Sequence, residues 1–144
     1  MKTFFVDPDI RKAETLPSEF YTDKSVFDHL VKAVFEKTWQ WIGDEDTLVP
    51  MNESISPLSL VDPLLSEPLL LVRDKVGVLN CLSNVCTHRG NIIAHHPCKA
   101  KQLIGGYHGR RFALNGSFKS MPEFEDAENF PRPCDDLHRY DLKL

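Results

Sequence analysis

Two short runs constrain this chain more than anything else in it. In CTHRGN, residues 86–91, Cys86 and His88 are separated by one residue; in LIGGYHGRRF, residues 103–112, a second histidine stands at 108. Sixteen residues, 89–104, separate His88 from position 105. Thiolate and imidazole are the side chains that select transition metals. Ligands drawn from two such runs meet only if a rigid framework presents two loops side by side, and a small sheet does this. Gly90, Gly105, Gly106 and Gly109 allow the tight turns such loops need. Where a second cysteine would balance the set stands Gly105, which has no side chain and cannot bind a metal.

The flanking segments fit that framework. Residues 22–39, TDKSVFDHLVKAVFEKTW, predict one helix, because Val26, Phe27, Leu30, Val31, Val34 and Phe35 recur at helical spacing. Thr22, Asp23 or Ser25 can cap it, and Ser25 with Asp28 makes a possible capping box. His29, beside the stripe, reads as a surface or packing residue. After Trp39 the period changes to that of strands. TWQWIG alternates, which would turn Trp39 and Trp41 to opposite faces, one of them into the core. PLSLV at 57–61 is a short strand, and 67–84 reads as a hairpin turning at Asp74–Gly77. KQLIG at 101–105 is another short strand. RFALNGSFKS at 111–120 predicts a hairpin with a type I′ turn at Asn115–Gly116. The expected fold class is therefore mostly β: a small antiparallel domain over 38–131, preceded by a helical arm over 1–37 and followed by an acidic tail over 132–144.

The chain resembles a known family, the large (alpha) subunits of Rieske-type ring-hydroxylating oxygenases. The resemblance is carried by LPSEFYTD at 16–23, VFEKTWQWIGD at 34–44, LLLVRDKVGVLNCLSNVCTHRGN at 69–91, GYHGRRFALNGSF at 106–118 and MPEFEDAENFP at 121–131. It implies a Rieske-type β domain with a [2Fe-2S] cluster, in which two cysteines hold one iron and two histidines the other. Neutral imidazole in place of charged thiolate raises the reduction potential. By this resemblance Cys86 would ligate the inner iron and His88 and His108 the outer one, with Gly105 at the fourth position. The implied role is electron relay from a ferredoxin or reductase to a mononuclear non-haem iron. That iron would belong to a catalytic domain or a neighbouring subunit, and Arg89 would shape a docking face or serve only as a surface ion-pair residue.

Two departures from the family pattern bear on function. Gly105 leaves the cluster one thiolate short, so an impaired site is expected. The chain also lacks the two-His-one-carboxylate set of the mononuclear iron, so it is expected to be a piece of a longer oxygenase, oxidoreductase in lineage but not catalytic alone. Cys98 lies between the two runs beside His95 and His96. Swung toward Cys86, His88 and His108, it would complete a tetrahedral site for a single zinc or iron. The alternative function is accordingly a non-redox domain, zinc-bound or metal-free, serving folding or subunit contact. Cys81 reads as buried core, Cys134 as a free thiol and His138 as part of the last strand.

Composition excludes other classes. The net charge of −4 in 144 residues argues against nucleic-acid binding. From 121 to 144 seven acids face three bases, which reads as a solvated stretch rather than a docking patch. No run approaches the ~20 apolar residues of a membrane span, and MKTFFVDPD is too polar for a signal-peptide core. A cytoplasmic location is expected, where four cysteines serve burial or metal binding rather than disulfides.

Overall fold

A computed structural model describes residues 3–62 and 64–144. The chain divides into two compact units, Met1–Trp41 and Ile42–Leu144.

In the first unit, α1 (Ser18–Thr22) is followed by α2 (Lys24–Ala33) and a single 3-10 turn (Phe35–Lys37). Of the candidate caps, Asp23 serves: its carboxylate accepts from the Ser25 N–H at 2.8 Å. Asp28 does not complete a capping box, because it pairs instead with Lys24 at 2.7 Å. The single helix expected to Trp39 ends earlier, at Ala33. The final turn tightens into 3-10 geometry, as helix ends commonly do, and the Thr38 hydroxyl donates to the Val34 carbonyl. No residue of α1 or α2 is buried, and Phe27 and Val34 on the apolar stripe are exposed. TWQWIG forms no regular element and has no strand partner among the described residues, and Trp39 and Trp41 are 63% and 83% exposed. Alternation buries one face of a strand only where a ladder fixes that face, and here none does.

Among the described residues the second unit holds α3 (Glu45–Leu48) and two antiparallel sheets. The larger contains β1 (Ser54–Leu60), β2 (Glu67–Arg73), β3 (Leu79–Ser83), β4 (Cys98–Lys99) and β8 (Arg139–Tyr140), in the order β4-β1-β2-β3-β8. The smaller is β5 (Leu103–Ile104), β6 (Arg111–Phe112) and β7 (Phe118–Ser120). β2 is central, and Leu69, Leu70, Leu71 and Val72 are all buried, which is why its apolar run does not alternate. The β2–β3 turn closes as expected. The Asp74 carboxylate accepts from the Val76 and Val78 N–H groups at 2.9 Å each, and Gly77 takes φ +91°.

The β6–β7 connection departs from the type I′ reading, since Asn115 keeps a negative φ and only Gly116 is left-handed, at φ +87°. The Gly116 N–H donates to the Ala113 carbonyl at 2.9 Å and the Ala113 N–H to Ser117 at 2.8 Å. This is a three-residue loop closed by a left-handed glycine. The Asn115 side chain favours it by accepting from the Ser117 N–H and hydroxyl.

One apolar cluster joins the sheets: Ile55, Leu70, Val72 and Leu82 from the larger, Leu103 and Phe112 from the smaller, with Cys86, Ala94, Leu114 and Leu137 between. Full burial of a side chain such as Phe112 stabilises the fold by about 1.5–3 kcal/mol. Residues 132–144, expected as an acidic tail, are stitched into this unit. Leu137 is core, the Ser83 N–H donates to the His138 carbonyl, and β8 pairs with β3 at Cys81↔Tyr140. The segment is held because it carries Leu137 and Tyr140 as well as acids, and its residues Arg139–Tyr140 form an edge strand.

Candidate metal centre

The two expected loops are rooted on either side of this core. The first leaves β3, and the Cys86 N–H donates to the Asn91 carbonyl at 2.8 Å while the Gly90 N–H donates to the Cys86 carbonyl at 3.0 Å. The second joins β5 to β6, and the Gly105 N–H donates to the Arg110 carbonyl at 2.8 Å while the Gly109 N–H donates to the Gly105 carbonyl at 3.0 Å. The pattern is the same bond for bond. Each loop begins at the residue that opens the turn, Cys86 or Gly105, and closes through a left-handed glycine four residues on, Gly90 at φ +71° and Gly109 at φ +69°. Only glycine takes that conformation without strain. Position 105 is thus the structural counterpart of Cys86.

The loops face one another. Cys86 is buried, and a Cβ built on Gly105 would stand 2.8 Å from its Sγ and 3.4 Å from its Cβ. Further out, the His88 and His108 rings meet edge to face with centroids 4.6 Å apart. Tyr107 tilts against His108 at 3.9 Å, and Phe124 approaches His88 at 6.2 Å. His108 is exposed and His88 half-buried. Burial pushes the His88 pKa down, and the positive charge of His108, Arg89 and Arg110 adds to this. The imidazole is thereby favoured in its neutral form, the one able to bind metal.

Behind the loops lies a buried ion pair that the sequence did not disclose. An Arg110 terminal nitrogen donates to Asp135 Oδ1 at 2.5 Å, with side-chain exposures of 4% and 9%. The guanidinium also sits 5.0–5.8 Å from the rings of Phe112, Phe118 and Phe130. Burial alone would raise the Asp135 pKa. The Arg132 N–H and the Arg110 guanidinium outweigh it and hold this carboxyl below the usual carboxylate range.

The remaining candidates lie elsewhere. Cys98 is exposed on β4, at the edge of the larger sheet, paired with Ile55. Arg89, His95 and His96 are exposed in the connecting segment, and Cys134 is exposed in a 3-10 turn (Pro133–Asp135). Cys81 is buried in β3, where desolvation pushes its thiol up to about 11. Among the described residues, no three His, Cys, Asp or Glu side chains converge on one point as a single-ion site would require. The donors form two pairs of positions instead: Cys86 with residue 105, and His88 with His108. A [2Fe-2S] group of the kind held by two thiolates and two imidazoles would meet two imidazoles here and one thiolate. The residues present fit the imidazole half of such a group and not the thiolate half.

Paired antiparallel sheets offering two like-built loops, one with Cys86 and His88 and the other with His108, define a small two-sheet β domain with its candidate ligands on facing loops. Residues 38–131 match the Rieske [2Fe-2S] domain, and the chain belongs to that family. It is 32% identical over 130 residues to the carnitine monooxygenase oxygenase subunit of Acinetobacter baumannii, covering 90% of this chain and 33% of that protein. It is 33% identical over 118 residues to the chloroplastic choline monooxygenase of Amaranthus tricolor, covering 82% and 26%. The crystal structure of the quaternary ammonium Rieske monooxygenase CntA with L-carnitine superposes with a TM-score of 0.80 at 26% identity, covering 91% of this chain and 36% of that one. The chain thus spans about a third or less of the length of these relatives. The mostly β class and the Rieske homology expected from the motifs both stand. No helix among the described residues is long and apolar enough to cross a membrane.

Proposed function

We propose that this chain is the electron-transfer domain of a Rieske non-haem iron oxygenase whose metal centre is incomplete at Gly105. A [2Fe-2S] group, when bound in such a domain, passes single electrons. His88 and His108 are the ligands assigned to one iron, Cys86 and position 105 those assigned to the other. The observation that supports this assignment is the bond-for-bond likeness of the loops, in which Gly105 holds the position corresponding to Cys86. The oxygenase partner is a mononuclear-iron domain or neighbouring subunit, and the electron donor a ferredoxin or reductase. Substrate choice belongs to that catalytic part. In this reading the helical arm precedes a cluster domain whose family-matched part is 38–131, and 132–144, expected as a tail, belongs with that domain, since Leu137 and β8 pack into it. The proposed location is cytoplasmic.

A second reading has one observation in its favour. The Cys86 thiol already occupies the space a side chain at 105 would enter, as in a domain kept metal-free for folding or subunit contact.

Anaerobic reconstitution with iron and sulfide separates the two. We expect the chain as it stands to bind less than stoichiometric iron, and Gly105→Cys to give a red-brown protein with about two irons and two labile sulfides. Iron at background in the folded Gly105→Cys protein would refute the missing-ligand reading. A colourless chain in both forms, with about one zinc or none, is the outcome of the second reading.

A further inference from the structure

We infer that Asp135 is a positioning residue that fixes the two metal loops against each other. Its backbone carbonyl accepts from the Thr87 hydroxyl at 2.8 Å, and Thr87 stands between Cys86 and His88. Its carboxylate accepts from Arg110 at 2.5 Å, and Arg110 closes the second loop through its own carbonyl. One residue, 25 positions from Arg110 and 48 from Thr87, therefore grips both loops at once.

Asp135 is itself held firmly. Its second carboxylate oxygen accepts from the Arg132 N–H at 2.7 Å, its own N–H donates to the Arg132 carbonyl at 2.8 Å, and the adjacent Asp136 accepts from the Phe118 N–H at 2.7 Å. Arg110 has little freedom to re-partner. It is 3% exposed, three phenylalanine rings surround its guanidinium, and its Nε has no hydrogen-bond partner among the described residues. A buried cation so placed has one strong anchor, Asp135. The consequence is relational. If Thr87 and Arg110 were two separate local supports, each would steady its own loop. Because both end on Asp135, cutting either frees each loop from the other, and cutting both adds little.

The purpose assigned to this link rests on reading the loops as a metal centre, but the link can be tested without metal. The variants are Thr87→Val, Arg110→Met and the double variant, each in the full chain. NMR supplies the readouts: the cross-ring contact between His88 and His108, and amide exchange at Cys86 and Gly90 in one loop and at Gly105 and Gly109 in the other. Thr87→Val should abolish the cross-ring contact and speed exchange at Gly105 and Gly109, on the loop it does not belong to. That rise is about tenfold, the scale of one lost hydrogen bond. Arg110→Met should do the same at Cys86 and Gly90, and the double variant should match the stronger single one. Changes confined to each variant's own loop, with the cross-ring contact kept, would overturn the inference. If Arg110→Met does not fold, Thr87→Val decides alone, since it leaves the buried ion pair in place. Failure here leaves the iron measurements on Gly105→Cys untouched, and the reverse also holds.

Discussion

Gly105 presents its missing side chain to Cys86: a Cβ there would stand 3.4 Å from the Cys86 Cβ and 2.8 Å from its Sγ. The second distance is too short for two unbonded atoms, but Sγ ends a side chain with one rotor and can turn aside. Gly105 is also outside the left-handed region, so its backbone accepts an L side chain. Disulfides span Cβ···Cβ separations of about 3.5–4.5 Å, and the built distance is a tenth of an ångström short of that range. Gly105→Cys is therefore expected to form a disulfide with Cys86 on oxidation in the absence of metal. Non-reducing peptide mass mapping checks this. Finding both thiols free and alkylated after mild oxidation would show that the loops do not hold the geometry described.

Gly116 responds in the opposite sense. It sits at φ +87°, and a Cβ would come within 2.9 Å of Leu82 Cδ2 and 3.4 Å of Leu137 Cβ, both core residues. Gly116→Ala combines an unfavourable backbone region with overpacking, and should cost about 1–3 kcal/mol of stability. Denaturant unfolding measures it, with Gly90→Ala as a comparison, since Gly90 is left-handed with nothing within 4 Å. Equal losses for the two would mean that backbone strain alone decides and the Leu82 contact does not matter.

Local and regular features were legible in the sequence. Strands β2 and β3 follow from apolar runs around Asp74 and Gly77, and the spacing of Cys86, His88 and His108 marks the two loops that the fold brings face to face. What stayed hidden needs partners distant in the chain. Asp135 reads as one acid among seven from 121 to 144, and only the fold brings it to Arg110 and Thr87. The alternation at Trp39 and Trp41 misled because a period of two says which residues share a face, not whether anything covers it. At Asn115–Gly116 the dipeptide marks the turn correctly, but the Asn115 side chain bonds Ser117 and selects a three-residue loop.

Thiol chemistry should separate the four cysteines. Cys98 and Cys134 are exposed, while Cys81 and Cys86 are buried. The thiolate is the reactive form, and with its pKa pushed up to about 11 by burial Cys81 is almost wholly protonated at neutral pH. In the native chain without metal, a mild alkylating reagent at neutral pH should label Cys98 and Cys134 first. Cys81 and Cys86 should react only on unfolding. Labelling followed by peptide mapping reads the order, and rapid native modification of Cys81 would contradict its place in β3.

The Tyr140–Glu67 pair sets an alkaline limit on stability. The Tyr140 hydroxyl donates to Glu67 Oε1 at 2.8 Å, which ties β8 toward β2 across β3. Burial is the main reason its pKa is pushed up to about 12 from an ordinary 10, and the Glu67 carboxylate, which accepts the proton and repels the phenolate, adds to this. The folded state holds this proton more tightly than the unfolded one. Its contribution is therefore complete below pH 10 and lost as pH rises from about 10 to about 12. Melting temperature followed across that range, with phenolate absorbance recorded alongside, should fall more steeply for the native chain than for Tyr140→Phe. At neutral pH the variant should be less stable by about 0.5–1.5 kcal/mol, the net worth of one hydrogen bond. Parallel alkaline curves for the two proteins would mean that Tyr140 titrates alike in the folded and unfolded chain, and that the bond to Glu67 does not hold β8 in place.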